Sequence, residues 1–337
     1  MTKRDDRQLD LFAEAAPNSS TPEVGRYPPA LLELAAALPK HLRLGTSSWT
    51  FPGWAGLVYQ RTYPNQRVFT RESLSEYARH PLLTTVGIDR SHYAPLDTTT
   101  LREYASMLPA GFRCVMKAWD ELTTMVFPDH ERYGPRRGQR NPSFLDPVRF
   151  REAVAGPVLD AFADHIGPIV LEVAPMRRAP SPKDFEHALE HFLQKAPPEL
   201  HYAVELRNPE LVTPRYLGIL RHYAASHVLN FWTLMKPLRE QLAVDGILPG
   251  PVVVSRLLLP PYTGYEQRKR ELSPFDRIVD VQHEMREDVV GLVERCGELG
   301  HTLYVIANNK AEGSAPLTLR AIAELVVARQ RGAAIHA

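Results

Sequence analysis

The 337-residue chain is poor in cysteine, with only Cys114 and Cys296, far apart in sequence. That excludes a disulfide framework, a CxxC redox motif and a cysteine zinc site. It fits a reducing compartment, and the cytoplasm is the expected location. No run of 18 apolar residues occurs, so no membrane span and no membrane partner are expected. The opening MTKRDDRQLDLF lacks the apolar core of a signal peptide. Charge of one sign is also scarce: the formal net charge is +1, so any basic surface must be local. No GxGxxG follows the first strand-like run, which argues against a dinucleotide site. No internal repeat is visible. No motif names a cofactor, and no metal is assigned.

What is present is an ordinary globular composition, 44% hydrophobic and 23% charged, in a chain long enough for one large barrel or two domains. Residues 1–27 are polar and aperiodic and are expected to form a disordered arm. Pro28-Pro29 opens a short helix within 28–40, with Leu31, Leu34 and Leu38 on one face. From 41 to 330, β-type runs alternate with amphipathic helical ones. The strand candidates are 42–47, 84–89, 112–117, 169–173, 202–206, 228–233, 252–258 and 303–308. Helix starts fall between them, at Ser181-Pro182 and at Thr213-Pro214. Alternating β and α over this length predicts an α/β fold, a closed (β/α)8 barrel of parallel strands, with an open doubly wound sheet as the fallback.

In such a barrel, chemistry sits at the C-terminal ends of the strands. There the sequence places Asp89, Lys117, Glu172, Glu205 with Arg207, Arg256, and Asn308-Asn309-Lys310, beside Trp49 near the first strand and Ser91-His92-Tyr93 after the second. Charges inside apolar strands are costly unless paired. One reading is a structural ion-pair network. The other is a polar pocket. In it Lys117, Glu205, Asp89 and Glu172 are the catalytic candidates, and Arg207, Arg256, Asn308, Asn309, Trp49 and Tyr93 bind substrate. Asp89, His92, Glu172 and Glu205 are acceptable ligands for a hard or borderline ion, but three cations in the same mouth oppose one.

These residues sit in recognisable motifs. LGTSSWTFPGWAGLVY (44–59) resembles the opening signature of the YecE-like family, a domain-of-unknown-function family with a TIM-barrel fold. FRCVMKA, GPIVLEVAP, YAVELRNPE, VVVSRL and VIANNKAEGSAP resemble its later signatures in the family's order, over roughly 41–325. The resemblance implies a TIM barrel and supports Lys117, Glu205, Arg207, Arg256 and Asn308 as site residues. It implies no reaction. The family's strand-two Glu falls on Gly87, with Asp89 two residues on, and its strand-four Gln is Glu172. The chain is therefore a divergent member, with chemistry that is either new or lost.

Two long segments follow strands three and seven. Residues 126–147 carry Arg132, Arg136, Arg137 and Arg140; residues 260–275 carry Tyr262 and Tyr265 beside Arg268, Lys269 and Arg270. Interleaved aromatics and cations suit a phosphate-bearing ligand or single-stranded nucleic acid. At the other end of the chain, Gln8-Leu9-Asp10-Leu11-Phe12 resembles the peptide by which bacterial polymerases and repair factors dock on the DNA sliding clamp. Leu11 and Phe12 would anchor in an apolar pocket and Gln8 would fix orientation. The expectation is a bacterial barrel recruited to DNA, handling a phosphate-containing substrate as a hydrolase or lyase. The alternatives are a metabolic enzyme for a small anionic or sugar-like molecule, and a non-catalytic binding barrel.

Overall fold

The computed structural model describes residues 27–129, 131–176 and 181–335. Eight parallel strands form its centre: β1 (Leu42–Thr46), β2 (Thr85–Ile88), β3 (Arg113–Lys117), β4 (Ile166–Glu172), β5 (Tyr202–Glu205), β6 (Ser226–Phe231), β7 (Val252–Leu257) and β8 (Thr302–Ala307). The ladder runs β1-β8-β7-β6-β5-β4-β3-β2, so from β2 to β8 each strand pairs with the next in sequence and β1 returns to β8. This is the expected (β/α)8 barrel.

The seam between β1 and β2 is held differently from the others. The Thr84 N–H donates to the Leu44 carbonyl at 2.9 Å. The Tyr77 hydroxyl accepts from the Thr46 N–H at 2.9 Å and donates to the Thr85 carbonyl at 3.2 Å, bridging the two strands. Close approach here requires glycine: a Cβ on Gly45 would lie 2.1 Å from the Thr85 carbonyl oxygen, and one on Gly87 would lie 2.8 Å from that of Ser47. One barrel wall departs from the sequence reading. β4 begins at Ile166, not 169, because a register shift against β3 carries the strand through Gly167-Pro168.

Two apolar layers hold the barrel. Inside, Val115, Val170, Ala203, Val228, Val254, Tyr304 and Ile306 form one packed cluster. Outside, a larger cluster joins the strands to the helices. The helix Pro182–Lys195 shows why these segments fold as they do. Phe185, Leu189 and Phe192 recur on one buried face, each contributing about 1.5–3 kcal/mol by leaving water. In the helix Pro214–His222, the Thr213 side chain accepts from the Tyr216 N–H, a cap worth about 1 kcal/mol. The short helix Pro29–Ala36 has no fully buried residue, and Leu31, Leu34 and Leu38 rest against the outer core. Among the described residues, no helix is long and apolar enough to cross a membrane.

Candidate functional site

In six strands, the residue two positions beyond a member of the interior apolar cluster is polar: Lys117, Glu172, Glu205, Asn230, Arg256 and Asn308. Alternation along a strand puts each on the inward face at the C-terminal end. Ser47 and Asp89 complete the ring from β1 and the end of β2, beside Asn308. The barrel is thus apolar at mid-height and polar at its mouth.

The charged members are tightly joined. Arg256 hydrogen-bonds Glu205, and Glu172 at 2.7 Å, and lies 3.5 Å from Asp89. Arg207 lies 2.8 Å from Glu205 and 3.3 Å from Glu172, with its guanidinium 4.2 Å from the centre of the Trp232 ring. Lys117 lies 2.9 Å from Glu172 and 3.4 Å from Asp89. Burial alone would raise the Glu172 carboxyl. Arg207, Lys117 and Arg256 outweigh it and hold the group well below the ordinary carboxylate value. Burial likewise opposes the charge on Arg256, but Glu205, Asp89 and Glu172 more than compensate and raise its pKa. Burial lowers the His92 pKa, with Glu172 acting against it.

The sequence candidates therefore separate into groups. Lys117, Glu172, Glu205, Arg207, Arg256 and Asp89 come together as one network. Glu205 is fully buried and Arg207 is 4% exposed, both facing charged partners rather than solvent. Asp89, at 30%, is the most accessible of the three carboxylates. Its carboxylate lies 3.4 Å from Lys117, whereas a Cβ on Gly87 would come 2.8 Å from the Ser47 carbonyl oxygen. Ser91 fixes the turn Asp89–His92 by sharing its hydroxyl proton between the Ile88 and Lys117 carbonyls, at 2.6 and 2.7 Å.

Asn308 and Asn309 lie at a cavity of about 300 Å³ between β8, β1 and the segment after β7. Its walls also include Ser47, Ser48, Phe51, Asp89, Phe275 and Lys310. Asn309 Oδ1 accepts from Trp54 Nε1 at 3.2 Å and from the Ala315 N–H at 2.8 Å, so it pins the loop rather than facing a ligand. Lys310 bonds Asn308 Oδ1 at 3.3 Å and sits 4.8 Å from the Tyr265 ring centre. Among the described residues it pairs with no carboxylate. Phe275 has φ 67°, a strained conformation for a side-chain-bearing residue, and its ring packs 6.2 Å from Phe51. The loop is braced from behind. Buried Glu312 receives a bidentate pair from Arg286, and its carbonyl accepts from the Val279 N–H at 2.8 Å.

Two residues expected at the site are elsewhere. Trp49 is buried in the outer core, edge-on to Tyr104 at 5.1 Å, because its ring completes packing against the helix Thr98–Met107. Tyr93 is largely exposed beside His92 and takes no part in the cavity wall. The long segments also differ from a bare basic surface. Arg136 pairs with Glu121, Arg137 with Asp129 and Arg140 with Asp184. Arg268 is buried on the Ala311 carbonyl and on Asp280. Tyr262 and Tyr265 do reach solvent. The structure adds Asn230, Trp232 and Phe275 to the mouth and gives a place in the cavity wall to Lys310, to which the sequence assigns no role. Asn230 and Trp232 were legible from the same alternation that exposes Lys117, read onward from Val228. Among the described residues, no group of three or more His, Cys, Asp and Glu side chains is placed to hold a metal ion.

A family model described as "Protein of unknown function DUF72" matches residues 43–336. The chain belongs to this family. A DUF72 family protein from Enterococcus faecalis V583 superposes with a TM-score of 0.58 at 17% identity, covering 85% of this chain and 95% of that one. A DUF72 family protein from Thermotoga maritima MSB8 gives a TM-score of 0.54 at 16% identity, covering 85% of this chain and 98% of that one. At such identity the likeness shows the fold alone. No curated protein matches the chain. DUF72 membership accounts for the ordered motifs; the site chemistry has to come from the geometry.

Proposed function

We propose that the barrel mouth binds a small phosphate-containing ligand, with its phosphate at Lys310, Asn308 and the hydroxyls of Ser47 and Ser48. The observation that carries this reading is Lys310. Four cations, Lys117, Arg207, Arg256 and Lys310, stand over three carboxylates, Asp89, Glu172 and Glu205, and Lys310 is the one with no acidic partner among the described residues. The excess charge lies at the cavity, after β8, where barrels commonly seat phosphate. This shifts the anion site away from Arg207 and Arg256, whose guanidinium groups are occupied by Glu205 and Glu172. In a reaction, Asp89 is the carboxylate placed to accept a proton, with Lys117 and Arg256 beside it to stabilise negative charge. Glu172, held ionised, acts electrostatically and not as a base. Such a pair suits hydrolase- or lyase-type proton transfer. Calorimetry with inorganic phosphate tests the binding: Lys310→Gln should weaken it about tenfold, the scale of one charge-assisted hydrogen bond, and Lys310→Arg should retain most of it. No binding at millimolar phosphate, or equal binding by Lys310→Gln, refutes the reading.

A second proposal rests on sequence. Residues 8–12 lie outside the described residues, and their likeness to the clamp-docking peptide supports recruitment of the barrel to DNA. Affinity near micromolar is expected, since the peptide must be ordered on binding. A bacterial sliding clamp should bind the wild type and not Leu11→Ala/Phe12→Ala. Absence of wild-type binding at tens of micromolar, far above that expected range, removes the link to DNA.

A further inference from the structure

Besides Glu205 Oε1, which keeps its ion pair with Arg207 at 2.8 Å, the β5–β6 side of the mouth holds three buried polar atoms without a hydrogen-bond partner among the described residues: Arg207 Nη1, Asn230 Oδ1 and Trp232 Nε1. They are neighbours. Asn230 is on β6 and Trp232 follows the strand's last residue, Asn230 Nδ2 donates to the carbonyl of Leu206, and Arg207 stacks on the Trp232 ring. Asn230 is fully buried and Arg207 nearly so. Buried polar groups are rarely left unmade, so this cluster calls for an occupant.

The chemistry of the three atoms selects it. Two are donors and one is an acceptor. A phosphate or carboxylate would satisfy Arg207 and Trp232 but set a negative oxygen against Asn230 Oδ1. A second anion is not called for either, because Arg207 is already paired with Glu205 and Glu172. A hydroxyl both donates and accepts. We infer that Arg207, Asn230 and Trp232 form a subsite for ligand hydroxyl groups, and that the barrel's ligand is a sugar phosphate. The phosphate end rests on the reading given above for Lys310; the hydroxyl end stands on its own atoms. The two ends are connected through Asp89, Arg256 and Glu172, so the sugar would lie across the charged network.

The test is calorimetry of the full chain with inorganic phosphate, ribose 5-phosphate, glucose 6-phosphate and the two free sugars. Trp232→Phe serves as the variant, since it removes the N–H and leaves a smaller aromatic ring for Arg207 to pack on. At least one sugar phosphate should bind about tenfold or more tightly than phosphate, and Trp232→Phe should reduce that gain about 3- to 10-fold while phosphate affinity stays the same. If neither sugar phosphate exceeds phosphate, or if the gain survives Trp232→Phe, the subsite holds water only and the inference fails. If phosphate does not bind but a free sugar does, in a Trp232-dependent way, the phosphate reading falls and the hydroxyl subsite stands. If no probe binds, both fall.

Discussion

The two halves of the barrel mouth use the same kinds of side chain to opposite ends. From β4 to β7, Glu172, Glu205, Arg207 and Arg256 face one another, and Glu205 is wholly out of water. From β8 to β1, Lys310 has, among the described residues, an amide oxygen and an aromatic ring as partners and no carboxylate, next to a cavity of about 300 Å³. In the first half each charge is cancelled by another, so the charges hold the fold and leave only uncharged hydrogen bonding for a ligand. In the second a charge is left over, so it can take a ligand. Charge in a barrel mouth therefore says little about binding until its partners are counted.

The largest test of this contrast is Glu205→Ala. It leaves Arg256 and Arg207 buried without their main partner, and breaking a buried pair by removing one member costs about 3–5 kcal/mol. Denaturant unfolding should show a loss of that size. A loss below about 1 kcal/mol, the scale of exposed pairs, would mean that the paired half is not structural and would return Glu205 to the list of free catalytic groups.

That outcome also bears on what a sequence can reveal. The eight strands were readable because each is a short apolar run between helix starts, and all eight fold in the expected order. The inward charges were readable because alternation fixes the face of Lys117, Glu205 and Arg207. Their partners were not, because pairing across β4, β5 and β7 joins residues 51 to 84 positions apart. Trp49 was misplaced for a related reason: a tryptophan in a signature motif looks functional until Tyr104 is seen packed against it. Lys310 lay in plain view after β8, but a lysine acquires meaning only once the other cations are shown to be occupied.

A smaller effect follows from pH. Burial lowers His80 and His227 to about 4, and a histidine lowered in this way costs stability as pH falls from its unfolded value near 6.5 to that point. Glu172 acts lower down. A carboxyl whose folded pKa is lowered adds stability that is present above its unfolded value and is lost as pH falls through the folded one. Unfolding free energy should therefore decline in two stages on acidification. Glu172→Gln should flatten the stage below the ordinary carboxylate range and leave the histidine stage alone. An unchanged lower stage in Glu172→Gln would show that Arg207, Lys117 and Arg256 do not hold this carboxylate as their distances imply.

The smallest effect on stability belongs to Lys310→Gln, and it bears most directly on the open half. Lys310 is partly exposed, and among the described residues it contacts Asn308 and the Tyr265 ring. Glutamine can still donate to Asn308, and substitutions away from buried networks usually stay within about 0.5 kcal/mol. Unfolding should therefore be almost unchanged while phosphate affinity drops about tenfold. A stability loss near that of Glu205→Ala would mean that the lysine braces the loop after β8, the work assigned here to Glu312 and Arg286. The two halves of the mouth would then differ in exposure and not in purpose, and the cavity would lose the feature that marks it as a binding site.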